Sequence, residues 1–314
     1  MQPGRSCPLH YRYAPSDLAR AADIHAETLY VIGGLYGNVP ALETILELAT
    51  CEPAPVTLAF NGDFNWFNID DSAFRAINSE VLRHHATRGN VETEIADDES
   101  DAGCGCAYPE SVGAEEVERS NEIMIQLRDT ARRYPDLRKR LATLPMHLVA
   151  AVSGVRIAIV HGDLESLAGW SLSQDRVATE ESEKTIKKQI LTSNCQIVAS
   201  SHTCLAVALT YESGRCAVFN NGAAGMPNFR DTKFGVITRI AATPTPHVKP
   251  LYGTCISTPA GNAYVDALAV HYDQARWHGE FLANWLPGSA AYLSYYQRIT
   301  NGPAYTLHDA NRLP

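Results

Sequence analysis

Short apolar, β-prone segments alternate with glycine-containing loops and helix-like segments in the first part of the chain, and this alternation restricts the fold more than any other feature. Residues 28–32 read TLYVI, which is typical of a buried strand, and two glycines follow. Behind Pro40, the segment ALETILEL has apolar residues at helical spacing. The same order returns with a strand over 56–60, the loop NGDFNWFN and a helix over 71–83. Strands that alternate with helices predict an α/β sheet.

The rest of the chain gives further elements by the same periodicities. We predict strands over 85–87, 147–152, 155–160, 196–199, 206–211, 215–219 and 234–240, and helices over 114–133, 137–144 and 173–192. Because short turns join the last four strands, they are expected to form a mainly antiparallel meander. After a proline-rich linker at 243–250, aromatic and apolar residues at helical spacing predict a helical tail over about 262–298.

The negative charge of the chain is concentrated in one segment. The formal net charge is −9, and ten acidic residues and no basic residue lie between Glu92 and Glu118, which leaves 26 basic and 25 acidic residues elsewhere. A long nucleic acid is a poor partner for such a chain, because phosphate contacts need clustered Lys and Arg. Residues 92–113 lack any periodicity and are interpreted as an exposed acidic insertion. Its Cys104-Gly105-Cys106 sequence is weak evidence for a metal site and favours a flexible loop instead.

No stretch approaches the roughly 20 apolar residues that a membrane span needs. The first 27 residues carry charges and prolines and no apolar core of a signal peptide, so we interpret them as the N-terminal extension of a cytoplasmic protein. In that compartment the eight cysteines are expected to stay reduced.

Polar residues directly follow four of the predicted strands. They are Asn61-Gly62-Asp63, Gly89-Asn90, His161-Gly162-Asp163 and Ser201-His202-Thr203. Loops at the carboxyl ends of parallel strands are where such a sheet presents its ligands. One aspartate, one asparagine and two histidines from these loops would surround a divalent ion with oxygen and imidazole donors. The sequence therefore predicts a metal site at Asp63, Asn90, His161 and His202.

The order of these motifs resembles that of the calcineurin-like metallophosphoesterase superfamily, over about residues 28–240. The family motifs DxH, GD, GN[HD], Hx and GHxH are matched by GLYGN at 34–38, GD at 62–63, GNVE at 89–92, HGD at 161–163 and SHTC at 201–204, and NNGAAGMP at 220–227 is similar to the family's NPGSVGxP. The resemblance implies a four-layer αββα sandwich of two mixed β-sheets flanked by helices. This domain would cover 28–242, with 1–27 as an extension and 243–314 as a linker and an aromatic, helical tail.

The resemblance also separates retained from lost metal ligands. The family's second metal is held by residues that match Asp63, Asn90, His161 and His202. Three of the ligands of the first metal are replaced here, at Gly34, Tyr36 and Cys204. We therefore expect one divalent ion per chain (Mn, Fe or Zn) rather than two.

The residues at two of those lost positions still carry metal-competent groups. Tyr36 and Cys204 are candidate replacement ligands, since phenolate and thiolate both bind ferric iron or zinc. The favoured interpretation is that Tyr36 packs in the core and that Cys204 behaves as a small buried hydrophobe.

Hydrolysis of a phosphate mono- or diester by metal-bound hydroxide is the activity that the resemblance implies. Asp63, Asn90 and His202 would be the catalytic residues, and Arg88 and Asn38 are candidates for binding the phosphate. Val91 stands where family members carry the histidine that assists the leaving group. The expected substrate is a small phosphorylated compound or a phosphoprotein.

The alternative is a non-catalytic module that binds a metal or a phosphate compound, or a protein partner, on the same fold. Its partner would contact the acidic insertion or the aromatic tail, and the tail is also a candidate surface for a homo-oligomer. The retained second site favours hydrolysis, and the substitutions at Gly34, Tyr36 and Val91 favour the alternative.

Overall fold

A computed structural model describes residues 2–246 and 248–314, which form two mixed β-sheets packed between helices. In chain order the strands are β1 (Ile24–Ala26), β2 (Thr28–Ile32), β3 (Val56–Asn61), β4 (His85–Thr87), β5 (His147–Val152), β6 (Val155–Val160), β7 (Ile197–Ser200), β8 (Ala206–Tyr211), β9 (Cys216–Asn221), β10 (Gly235–Ala241), β11 (Tyr252–Thr258), β12 (Gly261–Val270) and β13 (Asn311–Arg312). The α-helices are α1 (Val39–Thr50), α2 (Asp71–Val81), α3 (Asn90–Ala96), α4 (Ala114–Arg132), α5 (Pro135–Ala142), α6 (Glu180–Ser193), α7 (Gln274–Asn284), α8 (Ala290–Asn301) and α9 (Leu307–Ala310).

Both sheets contain parallel and antiparallel neighbours. The seven-stranded sheet has the order β1-β5-β6-β7-β9-β8-β13, and the six-stranded sheet has the order β11-β12-β10-β2-β3-β4. Strands β2, β3 and β4 run parallel to one another, as do β6, β7 and β9. The predicted α/β class and the four-layer sandwich of two mixed sheets flanked by helices are thereby confirmed.

Alternate residues of the central strands face different layers, because successive side chains of a strand point to opposite faces of the sheet. In β2, Leu29 and Val31 pack between the two sheets, where they meet Ile157 of β6. Tyr30 of β2 faces the other way, into a cluster with residues of helices α1, α2, α4, α7 and α8. A third cluster lies between the seven-stranded sheet and α6. Strands buried on both faces explain the continuous apolar runs in the sequence.

The predicted antiparallel meander over 196–240 is wrong in two places. Strand β7 pairs with β9 in parallel, and β8 lies on the far side of β9. Strand β10 leaves this sheet and pairs with β2 and β12 in the other one. Short connections predict neighbouring strands, but residues 201–205 after β7 form one of the loops at the candidate site and carry the chain past β9.

The predicted helical tail is correct only in its second half. Residues 261–270 form β12, which pairs with β10 and β11, and the helices begin at Gln274. The tail also reaches the other sheet, where β13 pairs with β8. Pairing partners of β12 across the sheet decide its conformation, and this non-local effect overrides the local helical spacing.

The acidic segment is not the exposed, flexible insertion that its composition predicted. It begins with α3, in which Glu92 and Glu94 are buried, and Cys104 and Cys106 are buried as well. Glu94 accepts hydrogen bonds from Tyr11 of the N-terminal extension (2.5 Å) and from Arg128 of α4 (2.7 Å). Paired buried carboxylates are compatible with a packed segment, and only part of it, including residues 97–99, is exposed.

Within residues 2–246 and 248–314, the structure contains no helix whose length and apolar character would let it cross a membrane. The cytoplasmic location stays a prediction.

A buried ion-pair network on β10 generates the first prediction. The Arg239 guanidinium, which is not exposed at all, contacts Glu52 at 2.5 Å and Asp266 of β12 at 3.3 Å. Removing one member of a buried pair leaves buried charge without its counterion, which costs about 3–5 kcal/mol. Arg239→Met should lower the free energy of urea unfolding, followed by tryptophan fluorescence, by that amount.

The matched control is Arg276→Met. Arg276 pairs with Glu43 at 2.6 Å, but its side chain is 42% exposed. Exposed pairs contribute up to about 1 kcal/mol. Equal losses in the two variants would contradict the role assigned to the network.

Candidate metal centre

The four predicted ligand loops meet at one edge of the sandwich, where the carboxyl ends of β3, β4, β6 and β7 come together. Asp63 follows β3, Asn90 begins α3 just after β4, and His161 and His202 follow β6 and β7. Gly62 allows the close approach of two loops, because a Cβ on it would lie 2.6 Å from the Gly89 nitrogen, and its φ is +72°. The fold thus brings all four predicted residues into one site.

The Nε2 atom of His161 lies at the centre of this group. It is 3.2 Å from Oδ2 of Asp63, 3.3 Å from Oδ1 of Asn90 and 3.1 Å from Nδ1 of His202. All four side chains are buried. Ligand atoms of Asp63, His161 and His202 lie within 4.8 Å of one another, a separation compatible with one shared metal ion.

Hydrogen bonds on the outer side fix which atoms face inward. His161 donates through Nδ1 to the carbonyl oxygen of Asn61 (2.9 Å), and His202 donates through Nε2 to that of Cys106 (3.0 Å). Asn90 donates through Nδ2 to Cys104, which turns its Oδ1 toward His161. Such outer contacts orient metal ligands in proteins.

With these assignments, the inward atoms are two imidazole nitrogens, a carboxylate oxygen and an amide oxygen, all of them electron-pair donors. A cluster of this kind requires a positive charge, supplied either by a proton on His161 or by a metal ion. Imidazole, carboxylate and amide groups suit Mn, Fe and Zn. The residues therefore fit the divalent ion that the sequence predicted.

Electrostatics in the site follow from burial and from the carboxylate. Burial opposes charge on His161, but Asp63 outweighs it and raises the pKa of His161 above its ordinary value. His161 in turn overcomes the burial of Asp63, whose pKa is lowered. Burial, together with the charge on His161, lowers the pKa of His202 to about 4. His202 is thus neutral at physiological pH and has a free electron pair on Nδ1.

Glu92 holds the loops together from beneath, a role that the sequence did not reveal. Its carboxylate accepts hydrogen bonds from the backbone nitrogens of Asp63 (2.7 Å), Gly89 (3.0 Å) and Asn65 (3.1 Å). Burial and the nearby Asp63 raise the pKa of Glu92 to about 7. The GNVE match includes Glu92, as the third residue of α3, but it gave no indication that the side chain binds the backbone of the Asp63 loop.

Three residues of the site have left-handed backbone conformations that are uncommon outside glycine. The φ angles are +56° at Tyr36, +52° at Asp63 and +62° at Cys204. Residues held in such conformations concentrate at functional sites. Their clustering here supports a site whose geometry is maintained by its surroundings.

Tyr36 and Cys204, the candidate replacement ligands, direct their polar atoms at each other. The Tyr36 hydroxyl lies 2.8 Å from Sγ of Cys204. The Tyr36 ring lies over Gly34, where a Cβ would be 2.9 Å from ring atom Cζ. Burial raises the pKa of both the Tyr36 phenol and the Cys204 thiol. The pair thus fills the side of the site where the resemblance predicts further ligands.

A cleft of about 220 Å³ opens onto the site and is lined by Asp63, Asn90 and His202. Its walls also contain residues that sequence reasoning did not assign to the site: Trp66, Cys106, Tyr108, Glu116, Trp170, Tyr295 and Arg298. Several of them belong to the segments interpreted as insertion and tail, and only the aromatic spacing of the tail gave any signal.

The two predicted phosphate-binding residues occupy structural positions. Arg88 donates to the carbonyl oxygen of Ala142 (3.3 Å), and Asn38 caps α1 through the nitrogen of Ala41 (2.9 Å) and donates to Gly225 (2.9 Å). Neither residue lines the cleft. Binding of phosphate by Arg88 or Asn38 is not supported by this geometry.

Comparison with solved structures identifies the fold. The chain is similar to a metallophosphoesterase from Sphaerobacter thermophilus, with a TM-score of 0.54, 14% identity, and coverage of 88% of this chain and 100% of the other. It is also similar to a hypothetical protein from Pyrococcus horikoshii, with a TM-score of 0.55, 16% identity, and coverage of 88% and 99%. No protein-family model matches the sequence, and no curated protein matches it significantly. The chain has the calcineurin-like metallophosphoesterase fold, which confirms the resemblance at the level of the fold.

The geometry predicts how the chain binds metal. Purified protein loaded with Mn²⁺ or Zn²⁺ and dialysed should retain one ion per chain by elemental analysis. His161→Ala should lose that ion, because Nε2 of His161 lies within 3.3 Å of the facing atoms of Asp63, Asn90 and His202. His25→Ala is the control, since His25 is exposed on β1 and lies outside this group. Two retained ions in the wild type, or an unchanged ion in His161→Ala, would contradict the assignment.

Proposed function

We propose that the chain is a metal-dependent phosphoesterase that works with a single divalent ion. The convergence of Asp63, Asn90 and His202 on Nε2 of His161, at the bottom of an open cleft, is the observation that carries this proposal. The similarity to metallophosphoesterases supports it only through the fold. The proposed substrate is a small phosphorylated compound or a phosphorylated side chain that enters the cleft.

The protein's own residues have distinct roles in this proposal. Asp63, Asn90, His161 and His202 would hold the ion, and Glu92 keeps the Asp63 loop in position through the Asp63 backbone nitrogen. When bound, the ion would act as a Lewis acid on a phosphoryl oxygen. The aromatic side chains Trp66, Tyr108, Trp170 and Tyr295 line the cleft together with Tyr36 and Cys204.

Val91 restricts the substrates that this site would hydrolyse. Its buried isopropyl group lines the cleft where the resemblance places a proton-donating histidine, and it has no proton to give. A general acid usually contributes about 10²- to 10⁴-fold to the rate. Esters whose leaving group departs readily as an anion need that help least.

The central test is hydrolysis of phosphomonoester and phosphodiester model substrates by the metal-loaded protein. Asp63→Asn should reduce kcat by at least about 100-fold, because it removes the negative charge that binds the ion while keeping the oxygen that accepts from Val91. Asp136→Asn is the control, since that side chain is 97% exposed. Activity that survives in Asp63→Asn would refute the assigned role of Asp63.

Leaving-group dependence gives a second test. Wild-type protein should hydrolyse p-nitrophenyl phosphate at least about 100-fold faster than an alkyl phosphate, because Val91 cannot protonate the departing oxygen. The measurement is kcat/KM over a series of aryl and alkyl phosphates. Similar values across the series would show that another group supplies the proton.

The non-catalytic alternative predicts a different set of results. The same site would bind one ion and a phosphate compound, but the wild type would show no turnover with Mn²⁺, Fe²⁺ or Zn²⁺ on any model ester. The contact between Tyr36 and Cys204 favours this alternative, because it closes the position of a second ion. Turnover that depends on Asp63 would exclude it.

A further inference from the structure

We infer that Arg298 binds the phosphoryl group of the ligand and supplies the positive charge that the lost first metal site would otherwise provide. The inference rests on the proposed function, and it adds a residue from the C-terminal helix α8 to the site. The ligand that it implies carries a dianionic phosphate, as a phosphomonoester does.

The position of Arg298 is the first observation. Arg298 lines the same cleft as Asp63 and His202. Its guanidinium donates to the carbonyl oxygen of Cys204, in the loop that carries His202, and to that of Pro227 at 3.2 Å. Two backbone carbonyls thus orient the group, and they use only part of its five N–H donors.

Arg298 has no ion-pair partner among the described residues. Among residues 2–246 and 248–314, no carboxylate lies within ion-pair distance of Arg298. Two carboxylates line the cleft. Asp63 contacts His161, and Glu116 is exposed. Elsewhere in the protein, the half-buried Arg128 pairs with Glu94 at 2.7 Å. A partly buried guanidinium without a carboxylate, in a chain of net charge −9, is a binding group for an external anion.

The Tyr36–Cys204 contact explains why a positive charge besides the proposed metal ion would have to come from another part of the chain. Tyr36 covers Gly34 and meets Cys204, so this side of the site offers no set of ligands for an ion. Arg298 binds the backbone oxygen of Cys204, which places the guanidinium on the same side. A phosphate in the cleft would then lie between the ion held by Asp63 and the fork of Arg298.

Aromatic side chains make up much of the remaining wall. Trp66 and Tyr295 are edge-to-face at 6.3 Å, and Tyr108 and Trp170 lie 5.9 Å apart. None of these groups carries a charge, so Arg298 is the cationic side chain of the cleft. Recognition of the phosphate therefore depends on Arg298 together with the bound ion.

The test measures binding of inorganic phosphate by isothermal titration calorimetry, with and without one equivalent of Zn²⁺. Arg298→Gln should weaken phosphate binding to the zinc-loaded protein by about 10- to 100-fold, the range for loss of charge-assisted hydrogen bonds. Arg298→Lys should lie between the wild type and Arg298→Gln, because lysine keeps the charge but not the two-pronged geometry. Zinc stoichiometry should stay at one in all three proteins.

Controls distinguish failure of the Arg298 inference from failure of the proposed metal-dependent function. Arg276→Gln, at an exposed arginine on α7, should bind phosphate as the wild type does. Thermal melting checks that α8 stays docked, and if Arg298→Gln unfolds, Arg298→Lys decides. Unchanged phosphate affinity in a folded Arg298 variant would overturn the inference and leave the metal site standing. A wild type that binds no zinc would overturn the proposed function. If phosphate binding still depended on Arg298 in that case, the inference that Arg298 binds phosphate would hold without the metal.

Discussion

The side-chain amide of Asn61 fixes the geometry on which the rest of the site depends. Asn61 ends β3 in the six-stranded sheet, and its Nδ2 donates to the carbonyl oxygen of Val160 at the end of β6 in the other sheet (2.7 Å). Its Oδ1 accepts from Thr87 at the end of β4 (3.1 Å), and its backbone oxygen accepts from His161 (2.9 Å). One fully buried residue therefore ties together three of the strands that carry ligand loops. Each of these contacts is costly to lose, because a buried polar group without a partner is destabilising.

Asn221 makes a second connection between the sheets, at Gly33, which precedes the loop that carries Tyr36. It ends β9, and its Nδ2 donates to the carbonyl oxygens of Gly33, after β2, and of Val236 in β10. The two asparagines form a frame of buried hydrogen bonds that links the two sheets at the edge where the candidate ligand loops begin. This frame allows Tyr36, Asp63 and Cys204 to keep unfavourable φ angles.

The sequence was sufficient to place those candidate site residues whose position is determined by the strand directly before them. Asp63, His161 and His202 come within three residues of a strand end, so locating the strands was enough to bring them to one edge. Arg298 was missed because its place depends on the docking of α8 through contacts to Pro227 and Cys204, 71 and 94 residues away in sequence. The strand β12 was mistaken for helix for the same reason, since its partners lie elsewhere in the sheet.

The error about the acidic segment has the same physical origin. Composition predicts exposure for Glu92 and Glu94, but their carboxylates are buried because backbone amides, Tyr11 and Arg128 satisfy them. Local sequence carries no information about such partners. Only the full fold shows that the segment is a wall of the cleft.

These differences divide the chain into two functional parts. The strand-end loops of the two sheets provide the atoms of the candidate metal site, whereas segments outside these sheets shape the cleft. Cys106 and Tyr108 come from the acidic segment, and Tyr295 and Arg298 come from the tail. The N-terminal extension supports the first of these walls, since a Cβ on Gly105 would lie 2.3 Å from the Tyr11 hydroxyl. Changes in these outer segments would alter which ligand enters the cleft. Changes at Cys104 or Cys106 would also affect Asn90 and His202, which donate hydrogen bonds to the carbonyl oxygens of those two residues. In the proposed function these two parts are connected, because Arg298 donates to the carbonyl oxygen of Cys204, on the side of the site where the resemblance predicts further metal ligands at Gly34, Tyr36 and Cys204.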